Sequence, residues 1–199
     1  MARLYLVLDG AHAHVLDAAL RGGVDVVQLR DKELSDDQLV RAAESFRRAC
    51  DANGALFVLN DRPDLVDACH ADGVHVGQRD ASVADARALV GDELIVGLSI
   101  ETVEQLDAIE GADYLGVGAV FTTPTKTDAV AAGLELVRAA AAAVTIPWFA
   151  IGGIGLENVA DILAAGAPGV AVVRAIQDAD DPEAAARELR AALGEPPPA

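Results

Sequence analysis

The sequence predicts an α/β fold, a single (β/α)8 TIM barrel, from three observations. Short apolar runs alternate with amphipathic stretches along the whole chain, and strict alternation of strands and helices is typical of a parallel sheet. Eight such units are present, and eight units close into a barrel. The chain has only 199 residues, which leaves almost no room for insertions. An open doubly wound sheet is the alternative, but no Gly-x-Gly-x-x-Gly motif follows the first strand.

The eight predicted strands are short apolar segments with turn residues between them. They are Leu4–Leu8, 24–29, 56–59, Gly73–Val76, 94–98, Tyr114–Val117, 147–151 and 169–173. Helical periodicity between the strands predicts helices that include 36–52, Val83–Val90, 103–109, 134–143 and 158–165. Capping-box spacing supports two helix starts, Ser35 with Gln38 and Thr102 with Gln105.

One barrel domain over residues 1–193 is expected, followed by a disordered, proline-rich tail at 194–199. The uncharged run 139–156 is long enough to span a bilayer, but Pro147 and three glycines would break a spanning helix. The chain reaches Asp9 after a short apolar stretch, without the features of a signal peptide. A cytoplasmic protein is therefore expected.

Composition limits the partners of this chain. Its 32 acidic residues exceed its 15 Lys and Arg, for a formal net charge of −17. Such a surface repels nucleic acid and anionic lipid, so neither is expected as a partner. Cys50 and Cys69 are too few and too isolated for a disulfide framework or a zinc site, which predicts reduced thiols. The sequence leaves open whether the chain forms a homo-oligomer.

Polar side chains follow the second predicted strand, where an apolar strand end would be expected. Gln28, Arg30 and Lys32 are spaced two residues apart, so an extended chain points all three to one side. In a barrel that side faces the mouth, where catalytic residues lie. The chain contains only two lysines, Lys32 and Lys126, and both fall at strand ends or in the following loops. This placement favours a functional use over ordinary surface charge.

Two aspartates follow neighbouring strands. Asn60 and Asp61 come after strand three, and Asp80 comes after strand four. Ser82 and Asp85 already provide a cap for the next helix, which leaves Asp80 without an evident structural role. Adjacent strands lie about 4.8 Å apart, so the two carboxylates are expected to converge on one cation. Magnesium typically takes one or two carboxylates together with substrate phosphates and water.

The remaining candidates lie after strands five to eight. The Ser99 hydroxyl is expected to be free for a ligand, because Thr102 and Gln105 already cap the following helix. The loop 121–126 follows strand six and offers hydroxyl groups and one cation. Glycines after strand seven and residues 172–174 after strand eight occupy the positions where this fold commonly holds a phosphate. His75 is expected to be buried and hydrogen-bonded and not a catalyst.

These residues, in this order, resemble the thiamine phosphate synthase family. The matching stretches run through seven of the eight strand units and are 27–32, 59–61, 71–80, 97–99, 111–126, 146–153 and 167–176. The most specific are Asp-Gly-Val-His-Val-Gly-Gln at 72–78 and Thr-Pro-Thr-Lys at 123–126. One departure is visible, because Arg174 stands where the family often has Ser. The sequence leaves open whether Arg174 contacts the phosphate through its backbone or through its guanidinium.

The resemblance implies a transferase that joins 4-amino-5-hydroxymethyl-2-methylpyrimidine diphosphate to 4-methyl-5-(2-hydroxyethyl)thiazole phosphate, with thiamine monophosphate and diphosphate as products. It implies Mg²⁺ as cofactor, with Asp61 and Asp80 as its ligands. By the same resemblance, the pyrimidine diphosphate is held by Gln28, Arg30, Lys32, Asn60, Ser99 and Lys126. Within that set, Arg30, Lys32, Ser99 and Lys126 act on the leaving diphosphate. The thiazole phosphate side is implied for Thr123, Thr125, Gly153, Val173 and Arg174.

The resemblance also implies a dissociative route, for which the chain needs no nucleophile. The diphosphate leaves the pyrimidine methylene carbon, and the thiazole nitrogen attacks the resulting cation. Three alternatives are a thiazole tautomerase of the same family, a non-catalytic binder of thiazole phosphate, and a sugar-phosphate isomerase or epimerase. The aspartate pair and the two lysines argue against the first two. The third would require a clear acid–base pair at the mouth.

Overall fold

The computed structural model describes residues 2–122 and 131–194 and contains a closed barrel of eight parallel strands. The strands are β1 (Leu4–Leu8), β2 (Val26–Leu29), β3 (Leu56–Asn60), β4 (Gly73–Val76), β5 (Ile95–Ile100), β6 (Tyr114–Val117), β7 (Trp148–Ile151) and β8 (Val170–Val172). Each strand pairs with the next along the chain, and β1 pairs with β8 to close the sheet. The predicted fold class is confirmed.

Helices surround this barrel. They are α1 (Leu16–Arg21), α2 (Asp36–Asn53), α3 (Val66–Cys69), α4 (Val83–Val90), α5 (Gly133–Ala143), α6 (Val159–Ala164), α7 (Arg174–Gln177) and α8 (Pro182–Leu193). Short 3-10 helices occupy Gly10–Val15, Pro63–Leu65 and Glu104–Asp107. The capping box predicted at Ser35 and Gln38 is present at the start of α2. No helix of the described residues is long and apolar enough to cross a membrane.

The helix predicted over 103–109 is wrong, because only Glu104–Asp107 is helical there and its geometry is 3-10. Leu106 is the one buried residue of that turn, and a single apolar anchor is too little to stabilise an α-helix. The expected cap also differs. Gln105 Oε1 accepts hydrogen bonds from the backbone N–H groups of Glu101 and Thr102, at 2.6 and 3.2 Å.

The apolar core has two parts, separated by the sheet. Outward-facing strand residues such as Leu6, Leu29 and Leu115 pack against the helices. Inside the barrel lies a smaller cluster of Tyr5, Val7, Val26, Val58, Tyr114, Phe149 and Ala171. The Tyr114 ring fills the space beside Gly97, where a Cβ atom would come within 2.2 Å of it. Glycine at position 97 is therefore what admits an aromatic ring to the barrel interior.

The end of the barrel where the strands begin, here called the lower rim, is closed by a repeated contact. An aspartate precedes each of β2, β4 and β6, and its carboxylate accepts a hydrogen bond from a backbone N–H of the preceding strand. The donors are Leu4 to Asp25, Phe57 to Asp72 and Val96 to Asp113, at 2.7–2.9 Å. An arginine from a helix pairs with each carboxylate, namely Arg190, Arg47 and Arg87 respectively.

Two predictions about the chain ends meet the limits of the described residues. Of the predicted tail 194–199, Gly194 follows α8, and its carbonyl accepts a hydrogen bond from Arg3 Nη1 at 3.1 Å. Residues 195–199 lie outside the described residues. The described strands and helices run from β1 at Leu4 to the end of α8 at Leu193, and the domain bounds 1–193 stay a prediction.

Candidate functional site

A cavity of about 870 Å³ opens at the ends of the strands opposite the lower rim. This end is here called the upper rim. Every predicted site residue that the structure describes lines this cavity, namely Gln28, Arg30, Lys32, Asn60, Asp61, Asp80, Ser99, Gly153, Val173 and Arg174. Thr123, Thr125 and Lys126 lie outside the described residues. The described candidates therefore share one cavity, and their roles in binding stay predictions.

Charged side chains concentrate on the β2–β3 side of the cavity. Lys32 Nζ lies 3.1 Å from Asp61 Oδ2, with the lysine 55% exposed and the aspartate 18% exposed. Arg30 lines the cavity beside them, and within the described ranges no acidic side chain pairs with its guanidinium. A cation that faces a cavity without an internal partner is suited to bind an anion.

Asp61 is held in an unusual backbone conformation. Its φ of 59° lies in the left-handed region, which side chains other than glycine seldom adopt. Its backbone N–H donates to the carbonyl of His75 at 2.8 Å, which ties the end of β3 to β4. Such strained residues are concentrated at functional sites, and here the conformation accompanies a carboxylate that lines the cavity.

Asp80 has a structural role that the sequence did not reveal. Its Oδ2 accepts a hydrogen bond from the backbone N–H of Gly77 at 3.1 Å, and this contact closes the turn after β4. The expectation that Asp80 lacks such a role is therefore wrong. The residue still lines the same cavity as Asp61.

The donor set fits a particular kind of metal ion. Within 2–122 and 131–194, no three His, Cys, Asp or Glu side chains cluster as a metal cage. Two carboxylates in one cavity instead match magnesium, which keeps several water ligands and completes its shell with substrate phosphates. The Lys32 ammonium lies 3.1 Å from one oxygen of Asp61 and neutralises part of the charge of that carboxylate.

Five polar side chains, here called the polar chain, cross the barrel interior. Gln28 Nε2 donates to the Tyr5 hydroxyl at 2.8 Å, and the Tyr5 and Tyr114 hydroxyls lie 2.9 Å apart. Tyr114 contacts His75 Nδ1 at 2.9 Å, and His75 Nε2 contacts Ser99 Oγ at 2.9 Å. His75 is thus buried and hydrogen-bonded, as expected. The Ser99 hydroxyl already has the imidazole as one partner, and a hydroxyl can make further hydrogen bonds.

The tyrosines of the polar chain were missed in the sequence, although a signal for them exists. The chain contains only two tyrosines, and both lie in the barrel interior with Phe149 at ring-centroid distances of 5.2 and 6.0 Å. Burial raises the pKa of both phenols above the ordinary value of 10. The two hydroxyls therefore stay protonated at neutral pH and serve as hydrogen-bonding groups.

A glycine-rich loop after β7 forms part of the opposite side of the cavity, together with the charged side chains of Glu157, Arg174 and Asp178. Gly152 and Gly153 follow β7 with φ values of 106° and 64°. A Cβ atom at Gly152 would come within 2.6 Å of Ala119, so that position requires glycine. Asn158, which the sequence analysis missed, braces the loop by accepting from the Gly155 N–H at 3.0 Å and donating to the Gly153 carbonyl at 2.8 Å.

Arg174 begins α7 at the end of β8, and its side chain is already paired. Its Nε lies 2.7 Å from Asp178 Oδ2. This pair lowers the pKa of the Asp178 carboxyl. The guanidinium is thus directed to its own helix, whereas the first-turn N–H groups of a helix have no intrahelical acceptor.

Comparison with known proteins gives a consistent result. Residues 4–176 match a family model described as thiamine monophosphate synthase. The thiamine-phosphate synthase of Thermobifida fusca is 50% identical, and the alignment covers 96% of this chain and 92% of the relative. The thiamine-phosphate synthase of Acidothermus cellulolyticus is 48% identical over 96% of this chain and 95% of the relative.

Solved structures give the same picture. A thiamine phosphate pyrophosphorylase from Pyrococcus furiosus superposes with a TM-score of 0.89 and 34% identity, over 96% of this chain and 95% of that one. A 3-hexulose-6-phosphate synthase from Salmonella typhimurium superposes with a TM-score of 0.71 but only 19% identity, over 96% and 98% of the two chains. The second likeness concerns the fold alone.

Proposed function

This chain belongs to the thiamine monophosphate synthase family, as its sequence predicted, and we propose that it catalyses the reaction for which that family is named. The enzyme is a transferase that joins a pyrimidine diphosphate to a thiazole phosphate and releases diphosphate. The observation that carries the proposal is the asymmetry of one cavity. Arg30, Lys32 and the two aspartates line the side formed by β2 to β4. The glycine loop after β7 lines the other side, where the Arg174 side chain is already paired with Asp178.

The charged side suits the diphosphate of the pyrimidine substrate. Arg30 and Lys32 contribute positive charge, and Asn60 and Ser99 contribute hydrogen-bonding groups to the same cavity. Charge develops on the bridging oxygen as the diphosphate leaves. Groups held in place before the reaction stabilise that charge without reorganising, and one such contact is worth about 2.7–4 kcal/mol. Lys126 lies outside the described residues, and its role in stabilising the leaving diphosphate stays a prediction.

Asp61 and Asp80 are the residues that would hold Mg²⁺. When bound, the ion supplies neutralisation of the leaving diphosphate. The two aspartates support this role because they provide carboxylate oxygens and leave the other coordination positions to phosphate and water. Lys32 pairs with Asp61 at 3.1 Å and lines the same cavity, so its ammonium is well placed to contact a phosphate oxygen.

The glycine side suits the thiazole phosphate, whose phosphate group is retained in the product. Gly153, Val173 and Arg174 line the cavity, and backbone N–H groups of glycine loops and helix starts commonly bind phosphate. The Arg174 side chain is occupied by Asp178, so we propose that position 174 contacts phosphate through its backbone. A backbone contact would tolerate arginine at position 174, where the family often has serine. Contacts of Thr123 and Thr125 with the thiazole phosphate stay predictions.

The protein's main contribution is to hold two substrates in line. Holding two reactants together in the right orientation can lower the activation barrier by on the order of 7–11 kcal/mol. No covalent step on a side chain is required. The aromatic floor made by Tyr5, Tyr114 and Phe149 offers flat apolar surfaces for the two heterocycles. A cytoplasmic location and the absence of nucleic-acid and membrane partners stay predictions.

The decisive experiment mixes the purified protein with both substrates and Mg²⁺ and measures thiamine monophosphate and diphosphate together. We expect equal amounts of the two products, and loss of turnover when EDTA removes the metal. A tautomerase would release no diphosphate, and a binding protein would retain the thiazole phosphate without turnover. Either result would overturn the proposed function.

A further inference from the structure

With the Gln28 amide nitrogen placed toward Tyr5, the polar chain has one order of donors that satisfies every buried hydroxyl in it. A side-chain amide nitrogen can only donate, so the Tyr5 hydroxyl accepts from Gln28 Nε2. Tyr5 is 2% exposed, and its other hydrogen-bond partner in the described part of the chain is Tyr114. The Tyr5 O–H therefore donates to Tyr114, because a buried O–H without an acceptor is costly.

The same reasoning continues to the end of the polar chain. Tyr114 accepts from Tyr5, so its own O–H donates to His75 Nδ1, which lies 2.9 Å away. An imidazole nitrogen that accepts a hydrogen bond carries no proton, and the ring proton then resides on Nε2. Nε2–H donates to Ser99 Oγ at 2.9 Å. The Ser99 hydroxyl proton is consequently left to point into the cavity that Ser99 lines.

We propose that His75 is a positioning residue: the polar chain holds it as the neutral Nε2–H tautomer, and it thereby makes Ser99 a hydrogen-bond donor toward a phosphate oxygen in the cavity. The phosphate acceptor rests on the proposed function, whereas the tautomer does not. The shape of the interior supports the arrangement. Gly116 leaves room for the imidazole, since a Cβ atom there would come within 3.2 Å of His75 Cε1.

This order of donors decides between two uses of a serine beside a histidine. In a nucleophilic pair the imidazole accepts the serine proton and activates the oxygen. Here the imidazole donates to the oxygen, which leaves Ser99 as a donor and not as a nucleophile. If the Gln28 amide were reversed, all the hydrogen bonds would reverse with it, and His75 would carry its proton on Nδ1.

The first test is the tautomer of His75 in the ligand-free protein. Long-range 1H–15N spectra of the 15N-labelled protein distinguish the two neutral tautomers and the imidazolium, and a His75→Asn variant assigns the signals. We expect Nε2–H in the wild type and a mixture of tautomers in Tyr114→Phe. Tyr5→Phe is the matched control. It also removes one buried hydroxyl but leaves Tyr114 to donate to His75, so the wild-type tautomer should persist.

A wild-type spectrum that shows Nδ1–H or imidazolium overturns the proposal, whether or not any variant folds. If Tyr114→Phe also showed only the Nε2–H tautomer, the polar chain would not be what fixes the tautomer of His75, and the proposal would be overturned. Neither measurement uses substrate. A failure to form thiamine monophosphate would therefore remove the proposed function while the tautomer result still stands.

The second test asks whether Tyr114 acts through Ser99. In a double-mutant cycle we expect Tyr114→Phe, made in the otherwise wild-type protein, to lower kcat about tenfold. An effect of this size is common between residues of one hydrogen-bond network. In a Ser99→Ala background the same change should alter kcat by less than about twofold. Equal effects in both backgrounds would show that Tyr114 does not act through the serine, and the proposal would fall.

Discussion

The two rims of the barrel use charge in opposite ways. At the lower rim, Asp25, Asp72 and Asp113 each have both a backbone N–H donor and an arginine partner. At the upper rim, Arg30 has no acidic partner among the described residues, and the Lys32–Asp61 pair faces an open cavity. The lower rim is internally neutralised, whereas the upper rim holds charges that a ligand can still satisfy.

The difference follows from the direction of the strands. All eight run the same way, so each connection at the upper rim leads from a strand to a helix, and functional residues of this fold occur there. The three aspartates of the lower rim instead fasten one strand to the next and to a helix. Substitutions at the upper rim should therefore affect activity, and those at the lower rim should affect stability.

The largest effect should come from Asp61→Asn. This substitution keeps the shape of the side chain and removes its charge, which weakens both the proposed metal site and the contact with Lys32. We expect kcat to fall by at least about a hundredfold and the dependence on magnesium concentration to be lost or greatly shifted. Steady-state assays across a magnesium titration measure both quantities.

Asp64→Asn is the control for this change. Asp64 lies three residues further along, but its carboxylate pairs with Arg62 instead of lining the cavity. Its activity should match the wild type. A normal magnesium titration in Asp61→Asn would exclude Asp61 as a ligand of the metal.

Arg30→Ala should lower kcat by about a hundredfold to a thousandfold and leave the free energy of unfolding within about 0.5 kcal/mol of the wild type. Arg62→Ala offers a matched comparison, because Arg62 pairs with both Asp36 and Asp64 and does not line the cavity. Its loss should cost about 0.2–1 kcal/mol of stability with little change in rate. If both variants lost activity equally, the contrast between cavity-lining and paired arginines would be wrong.

Sequence reasoning reached the upper rim more easily than the lower one. Gln28, Arg30 and Lys32 break an apolar pattern, and such a break is visible in a single sequence. Asp25, Asp72 and Asp113 precede their strands, where acidic residues are unremarkable, and their partners come from helices distant in the chain. Only the assembled barrel brings these groups together.

The interior of the barrel shows the same limit. His75 could be recognised as buried, but its contact with Tyr114 depends on the pairing of β4 with β5 and of β5 with β6. The role of Asp80 in closing its turn required the position of the Gly77 N–H. Alternation of short elements predicted the fold and most strand bounds within two residues, because burial on both faces leaves a strong pattern.

Asp72→Ala tests the stabilising role of the lower rim. The change removes the acceptor of the Phe57 N–H and the partner of Arg47, so the free energy of unfolding should fall by about 1.5–3 kcal/mol. Urea denaturation should show a lower midpoint with an unchanged slope, and kcat should stay near the wild-type value. Asp67→Ala, which removes an exposed aspartate of α3, should change stability by less than about 0.5 kcal/mol.

The smallest effect concerns Cys50, whose thiol lies near Arg47 and Asp72 and is buried. Burial raises its pKa from the usual 9.0 to about 12. The unfolded thiol ionises first as pH increases, so the contribution of Cys50 to stability should decline as pH rises from about 9 toward 12. Because the thiolate is the reactive form, labelling of the native protein by a thiol reagent at pH 8 should be slow. The Asp72→Ala variant should be labelled faster, in proportion to its loss of stability. Rapid labelling of the wild type would show that the lower rim is open to solvent.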